Sequence, residues 1–558
     1  MDIIKEILEE LEKRDIKDQS GFNRLKLEII RKHKGQKIPN NVEIANEATE
    51  SQRKKFKDIL SIKPTRTGSG VAPIAIMTKP IRCPHGACIM CPSYTKKGVP
   101  QSYTGKEPAT MRGIRNNFDP YLQIFNRLEQ YLVMNQLPEK VEIIVMGGTF
   151  PSFPKEYKES FIYYAFKALN DFSRLFFKNN QLQLKNFLDF FELPGDVKDT
   201  ERTESIQKKI LKLKKQNKKP LDKEQFINES AKIKCIGLTV ETRPDYAGLK
   251  YANELLRYGC TRVELGIQSV YPEVLKKIER GHTIEDSIDS TKILKDLGFK
   301  INYHYMPGLF VDRKKDLEGL KQLFKDQNFR PDMLKIYPCM VVKGSKLYNI
   351  WKKGKFKPLT TKKAAELIAE FKTFVPEYCR IMRVQRDIPT YATEAGVDRT
   401  NLRQYIEELM KKKNIRCRCI RCREIGHKKT TKTLNPKILT RHYPASAGNE
   451  FFISYEDVKE DILLGFCRLR FPSGSLRKEI TKDSALIREL HVFGELTELG
   501  KKGSTQHKGI GKKLLKEAEQ TAKIYNKDKI IIISGVGARE YYRKLGYKKE
   551  GPYMVKNI

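Results

Sequence analysis

From about residue 75 to 375 the chain alternates short apolar runs with amphipathic stretches, and this constrains its fold more than any other feature. The apolar runs are Val141–Met146, Cys235–Val240, Arg262–Ile267, Ile301–Met306 and Met333–Tyr337. Helical periodicity lies between them, as in Tyr121–Val133 and Asp286–Leu297. Strands separated by helices predict parallel βα units, because a parallel strand needs a crossover long enough to return. Several such units predict a full or partial βα barrel, with active residues at the C-terminal ends of the strands.

Just ahead of the first unit stand Cys83, Cys88 and Cys91, four and two residues apart. Three thiolates on one short loop suit an iron–sulfur cluster with one iron left open to a small molecule. A structural zinc loop is the alternative, and His85 is too close in sequence to complete it easily. The run Val141–Met146 ends in Gly147, Gly148 and Thr149. Two glycines at a strand end let backbone approach a ligand closely.

The 558 residues suffice for about three or four domains. Lys and Arg number 108 against 68 Asp and Glu, a net charge of +40, which points to a polyanionic partner, nucleic acid first. Eleven cysteines are too few for a disulfide scaffold and six of them fall in two tight groups, so metal sites in a reducing, cytoplasmic compartment are expected. No stretch approaches the ~18 apolar residues of a membrane span.

Four segments flank or interrupt the barrel pattern. Residues 1–60 read as short amphipathic helices with basic clusters Arg31–Lys34 and Arg53–Lys55, candidates for nucleic-acid contact; the barrel region spans 61–375. Residues 171–230 form a basic helical insertion, with eight lysines between Lys208 and Lys223. A connector, 376–440, carries Cys417, Cys419 and Cys422 among Arg416, Arg418, Arg421, Arg423, Lys428 and Lys429. Three thiolates there suit zinc, with Cys339, Cys379 or His427 open as the fourth ligand and Cys339 favoured. The basic residues around them are candidates for phosphate contact.

Residues 441–558 read as a compact α/β domain with strands Glu450–Tyr455, Ile462–Phe471, Ile487–Phe493 and Lys529–Ser534. Gln506–Gly511 opens a helix, and such a loop aims backbone N–H groups and the positive helix end at phosphates. The order strand, glycine loop, helix, strand, then Arg539–Tyr547 resembles the GNAT acyltransferases, which bind acetyl-CoA. The cysteine triplet with its glycine strand end resembles the radical S-adenosylmethionine (SAM) superfamily, although the usual cysteine spacing there is three and two.

Both modules in one chain, with the strings Ser102–Gly105, Gly147–Phe150, Glu241–Asp245, Gly266–Tyr271, Val384–Pro389 and Gly551–Val555, resemble the Elongator catalytic-subunit family in an archaeal-like form, where the cysteine spacing varies. The resemblance implies a mixed α/β fold: a partial TIM-like radical SAM barrel, a zinc-binding linker, a small N-terminal helical region and a C-terminal GNAT domain. It implies a reaction on carbon 5 of the wobble uridine in a tRNA anticodon stem-loop. A 4Fe–4S cluster cleaves SAM to a 5′-deoxyadenosyl radical, which takes hydrogen from the methyl of acetyl-CoA. The acetyl radical adds to uridine, and thioester hydrolysis gives 5-carboxymethyluridine.

Carried onto this sequence, the resemblance makes Cys83, Cys88 and Cys91 the cluster ligands. Gly147, Gly148, Thr149, Glu241, Arg243 and Gln268 face SAM. Lys140 touches acetyl-CoA from the barrel side, while Glu489, Leu490, His491, Val492, Ile510, Gly511, Lys512 and Tyr542 touch it from the GNAT side. Tyr542 and Lys140 are the catalytic candidates; Tyr541 is expected to pack. The enzyme is expected to act alone or as a homodimer without other Elongator subunits. A protein lysine acetyltransferase with a structural cluster is the alternative, disfavoured by the repulsion between a +40 chain and a basic peptide.

Overall fold

The computed structural model describes all residues except 1–2, 17, 34–37, 40, 61–69, 93, 196–198, 217, 429–432 and 495–508. Seven strands form one wholly parallel sheet in chain order. They are β1 (Ala72–Met77), β2 (Lys140–Met146), β3 (Lys234–Thr242), β4 (Arg262–Gln268), β5 (Lys300–Tyr305), β6 (Met333–Ile336) and β7 (Arg380–Arg383). The first and last strands do not pair, so the barrel is partial. Strand β7 lies inside the segment read as a connector from residue 376. Its sequence, Arg-Ile-Met-Arg, is too short and too polar at its ends to show a strand period.

The outward-facing residues of the strands, such as Val141, Ile143, Val145, Val263, Leu265 and Ile301, pack beneath the crossover helices in one continuous core. The inward-facing positions of β2–β6 are largely polar: Lys140, Glu142, Thr239, Glu241, Arg262, Glu264, Asn302, His304 and Lys335. A barrel interior normally fills with branched apolar side chains. This one is built to hold something else.

The second sheet has seven strands: β8 (Lys437–Ala445), β9 (Gly448–Asp457), β10 (Ile462–Phe471), β11 (Ser484–Val492), β12 (Lys529–Ile532), β13 (Lys548–Glu550) and β14 (Tyr553–Asn557). All neighbours are antiparallel except β11 and β12, which run parallel. Helix Ile510–Ile524 covers one face and buries Leu514, Leu515, Ala518 and Ala522 in a separate core.

Residues 3–60 form a helical unit with its own core of Ile7, Leu11, Phe22, Leu25, Ile29 and Ile44. The expected basic surface is narrower than its sequence suggests. Arg53 is buried, and its Nε donates to the Ala45 carbonyl at 2.6 Å. The 171–230 insertion is helical, as read, but it is also integrated. Phe176, Phe187, Phe190 and Phe191 stack edge-to-face and tilted around one another. Arg202 and Lys209 are taken up by Glu129 (3.0 Å) and Glu192 (2.6 Å). Its last helix, Leu221–Ser230, sends Glu229 to Arg539 (3.0 Å) and Arg543 (2.6 Å) of the C-terminal domain.

The two sheets meet at the N-terminal end of the barrel. Arg488 of β11 binds Asp332 at 2.6 Å and Glu450 at 2.8 Å; Arg470 of β10 binds Asp296 at 2.6 Å and Glu450 at 3.0 Å. All these groups are essentially inaccessible. The turn after β12 presses Gly535 against the Ile236 carbonyl of β3, where no Cβ fits.

Candidate functional site

The cysteine loop lies over the C-terminal ends of the barrel strands, and all three cysteines are buried. Cys83 accepts from Thr149 Oγ1 at 3.4 Å, Cys91 from Gln101 Nε2 at 3.5 Å and Cys88 from Arg280 Nη1 at 3.5 Å. Arg280 also donates to the Gly266 carbonyl through Nη2 (2.5 Å), which ties the loop to the end of β4. Gly147 and Gly148 have φ of +123° and +107°; a Cβ on Gly148 would lie 3.7 Å from Cys83 Sγ. The strand end is thus free of side chains beside the sulfurs.

Among the described residues, two groups of His, Cys, Asp and Glu bring their ligand atoms within 4.8 Å of one another: Cys417 with Cys419 and Cys422, and Glu241 with Glu264 and His304. Cys83, Cys88 and Cys91 are spaced more widely. That spacing, with donors aimed at each sulfur, fits a multi-iron cluster rather than one zinc ion. Burial pushes the Cys83 thiol up, offset by the Thr149 hydrogen bond and by Arg280.

Of the residues expected to face SAM, Gly147, Gly148 and Thr149 flank Cys83. Gln268 ends β4 at φ +66°, and its carbonyl accepts from Met306 N–H. Arg243 is held by Asp245 (Nε to Oδ1, 2.9 Å) and the Gly281 carbonyl (2.7 Å), with Nη1 buried and unpaired. Glu241 faces inward, accepts from Tyr103 Oη at 3.0 Å and lies 3.4 Å from Lys335 Nζ.

Below this level lies a cluster that the sequence reading passed over. His304 Nε2 is 2.7 Å from Glu264 Oε2, and Lys335 forms an ion pair with the same oxygen. Arg262 reaches Glu142 at 2.9 Å and Glu264 at 3.4 Å. Burial would raise Glu264, but Lys335, His304 and Arg262 hold it well below the usual carboxylate range. Burial and Lys335 together lower His304. Beside Glu264 in register stands Asn302, fully buried, with neither carboxamide atom hydrogen-bonded. Leaving such groups unpaired costs about 1–3 kcal/mol each. The signal was the alternation Arg262, Glu264, Gln268 in β4, broken by Gly266, and Lys300, Asn302, His304 in β5, visible only once those runs are known to be barrel strands.

On the GNAT side, β11 and β12 pair from Ser484 with Lys529 to Ile487 with Ile532 and then separate. A bulge at Arg468/Leu469 leaves Arg488 unmatched across β10, so β11 bends where it parts from β12. The stretch Glu489–Val492 therefore lies beyond the parallel pairing of β11 with β12, on the strand end expected to meet acetyl-CoA. Glu489 is held by Arg468 at 2.9 Å, and His491 stacks on Phe466 and Phe493. Burial lowers His491, favouring neutral imidazole. Ile510, Gly511 and Lys512 begin the helix after Gly509, whose φ is +80°; Gln506, His507 and Lys508 lie outside the described residues.

Tyr542 and Tyr541 differ in placement. Tyr542 is buried in the GNAT core, and burial keeps its phenol protonated far above the usual range. Tyr541, expected to pack, is 40% exposed; a Cβ on Gly511 would lie 2.8 Å from its hydroxyl. The order of the two roles follows the short helix Arg539–Arg543, which turns successive side chains about 100° apart. Lys140 opens β2 beside Lys234 in register, and Gly537 of the GNAT turn packs on Lys234. Burial lowers the Lys140 ammonium. The expected barrel-side contact thus lies next to the GNAT domain.

The second cysteine group gathers as expected, but not with Cys339. Cys339 follows β6 at the other end of the barrel; its N–H donates to Pro307 and it packs with Cys88, Ile89, Met306 and Leu309. The turn after β6 holds it at the mouth, while Cys417–Cys422 lie by the N-terminal end of β7, where Ile420 N–H donates to the Cys379 carbonyl. Lys372 Nζ lies 3.6 Å from Cys422 Sγ. Arg423, expected among the phosphate contacts, is buried in ion pairs with Glu456 and Asp461 (2.8 Å). Lys429 lies outside the described residues.

A partial parallel barrel with a three-cysteine loop at its mouth, fused to a sheet that splays between two parallel strands, defines a radical SAM protein carrying a GNAT acetyltransferase domain. Family profiles agree: an ELP3 N-terminal domain matches residues 1–68, the radical SAM superfamily 79–323, a radical SAM C-terminal domain 331–412 and an acetyltransferase (GNAT) domain 495–558. The chain belongs to the Elongator complex protein 3 family. It is 44% identical to the tRNA uridine(34) acetyltransferase of Methanocaldococcus infernus, covering 100% of this chain and 98% of that protein. Elongator complex protein 3 of Saccharomyces cerevisiae is 38% identical over 96% of this chain and 92% of its own length. The solved structure of archaeal M. infernus Elp3 lacking residues 1–46 superposes with a TM-score of 0.72 at 40% identity, covering 88% of this chain and 100% of that one.

Proposed function

We propose that the chain is a tRNA uridine(34) acetyltransferase that converts the wobble uridine to 5-carboxymethyluridine with an acetyl group from acetyl-CoA. One observation carries the reading: the cysteine loop stands at the C-terminal ends of the barrel strands, the GNAT sheet packs against their N-terminal ends, and the side chains between them are polar. A radical made at the mouth and an acetyl group presented by the GNAT sheet would meet through that polar interior. Cys83, Cys88 and Cys91 hold the cluster; Thr149, Gln101 and Arg280 stabilise its sulfurs by hydrogen bonds. A 4Fe–4S cluster held there would supply the electron for reductive cleavage of SAM, and with it the radical chemistry that activates the acetyl methyl.

Gly147 and Gly148 leave room for the amino-acid end of SAM. Glu489–Val492 pair with the pantetheine arm, the N-terminus of helix Ile510–Ile524 faces the pyrophosphate, and Lys140 neighbours the thioester from the barrel side. Tyr542, kept protonated by burial, donates a hydrogen bond to the departing thiolate or polarises the thioester. The packing of the two sheets excludes bulk water between these groups. Cys417, Cys419 and Cys422 hold a zinc ion that pins β7 against the GNAT domain, with the fourth position supplied from outside the trio. Exposed Lys208, Lys212, Lys215, Lys218 and Lys219 of the insertion receive tRNA phosphates in the cytoplasm.

The test is coupling. Purified anaerobically, the protein should hydrolyse acetyl-CoA much faster when tRNA is added. Turnover indifferent to tRNA, or acetylation of a lysine peptide at full rate by Cys83→Ala, would instead support a lysine acetyltransferase.

A further inference from the structure

We infer that Asn302, together with Glu264, is the base-reading site of the barrel: it binds the amide edge of an extruded uracil. The inference rests on the proposed function for the identity of the substrate.

Asn302 is fully buried, and neither Oδ1 nor Nδ2 has a hydrogen-bond partner. Glu264, its register partner on β4, is equally buried; its Oε1 accepts no hydrogen bond and lies 3.4 Å from the Arg262 guanidinium. Both point into the barrel. His304, two residues beyond Asn302 and on the same face, bonds Glu264, while the intervening Tyr303 turns outward to Thr291 Oγ1 at 2.6 Å. Other inward groups at this depth have partners: Lys335 pairs with Glu264, Thr239 with Glu142, and Arg262 with Glu142 through its Nη2, its Nε remaining without a hydrogen bond. Asn302 is a wholly unpartnered carboxamide among groups that each have at least one partner, and marks where a polar ligand belongs.

The chemistry selects the ligand. A carboxamide presents one donor and one acceptor side by side in a plane. Uracil presents the complement, N3–H beside a carbonyl oxygen. A thioester offers only acceptors. The level is also right. Gly266, tied by Arg280 to Cys88, lies one two-residue step above Glu264, a rise of about 7 Å. A base seated on Asn302 therefore sits below the cofactor and above Lys140, between the two ends of the barrel. Extrusion from a single-stranded anticodon loop makes such burial affordable in energy, because little pairing is lost. Glu264 Oε1 faces the same edge and can share N3–H, while Lys335 and His304 fix the carboxylate's other oxygen.

The experiment compares wild type with Asn302→Leu, a near-isosteric apolar change, and Asn302→Ser. Each is reconstituted with its cluster and given SAM, acetyl-CoA, reductant and an anticodon stem-loop. Both variants should keep the visible absorption of the cluster, bind the stem-loop within about twofold, since phosphates dominate affinity, and cleave SAM at a near wild-type rate. Modified uridine should fall about 10- to 100-fold, the loss of one bidentate base contact. A stem-loop carrying 3-methyluridine should depress the wild type by a similar factor and add little to Asn302→Leu. Unchanged uridine modification in the variants would overturn the inference. So would a parallel loss of SAM cleavage, which would make Asn302 an adenine contact, or fully additive losses with 3-methyluridine. Should Asn302→Leu fail to fold, Asn302→Ser carries the same comparison. Wild-type enzyme that modifies no uridine defeats the underlying function itself, a distinct result from variants that match an active wild type.

Discussion

Asp316 shows how single buried groups set the behaviour of the barrel. Burial raises its carboxyl to about 7, with the Gly308 N–H as a partial counterweight at 2.8 Å. A carboxyl raised in the folded state stabilises that state below its unfolded value near 3.8, and the contribution is lost as pH rises through about 7. Asp316→Asn keeps the acceptor and removes the charge. It should raise the melting temperature at pH 8, by the equivalent of about 2–4 kcal/mol, and have little effect at pH 4; a gain that is the same at both pH values would contradict this. At the GNAT site, Tyr542→Phe should slow tRNA-dependent acetyl-CoA hydrolysis about 10- to 100-fold, whereas Tyr541→Phe should act mainly on KM. The cysteine triplet and the glycine pair were legible because their chemistry is local in sequence. The Glu264–His304–Lys335 cluster was not, since three strands bring together residues that no spacing rule connects. Cys339 misled for the converse reason: a cysteine short of a partner in sequence is not thereby near one in space.

At the scale of elements, strands β2–β6 and β9–β12 announced themselves by apolar runs, and their observed ends differ from the expected ones by a few residues at most. Strands β1, β7, β8, β13 and β14 did not. Strand β8 alternates exposed polar residues and carries Pro444, as an edge strand does, and β7 is four residues long. Strands β10 and β11 owe their buried arginines to the domain contact rather than to catalysis. Asp332 serves Arg488 and lies 3.6 Å from Arg468. Removing it as Asp332→Ala leaves two buried cations undercompensated, a loss of about 3–5 kcal/mol. Thermal unfolding should then split into separate barrel and GNAT transitions. A single transition at the wild-type temperature would show that the arginine network does not couple the domains.

For the whole molecule, the net charge of +40 and the pairing of two cofactor-type modules were plain from the sequence. Their arrangement was not, because the barrel and the GNAT sheet meet through groups far apart in sequence: Asp296 with Arg470, Asp332 with Arg488, and the Ile236 carbonyl against Gly535. Part of the positive charge is internal, as Arg53, Arg423, Arg468, Arg470 and Arg488 show. The affinity for tRNA should still fall steeply with salt, with a log–log slope set by the exposed lysines; replacing Lys208, Lys212 and Lys215 together should flatten that slope without changing SAM cleavage measured without tRNA. The central claim is that one barrel joins a radical made at Cys83, Cys88 and Cys91 to an acetyl group held by the GNAT sheet. Mass spectrometry of tRNA nucleosides, after anaerobic incubation with SAM, acetyl-CoA and a reductant, tests it most directly. The account predicts 5-carboxymethyluridine carrying the label of methyl-deuterated acetyl-CoA, and none from Cys88→Ala. Unlabelled product, or product undiminished in Cys88→Ala, would contradict it.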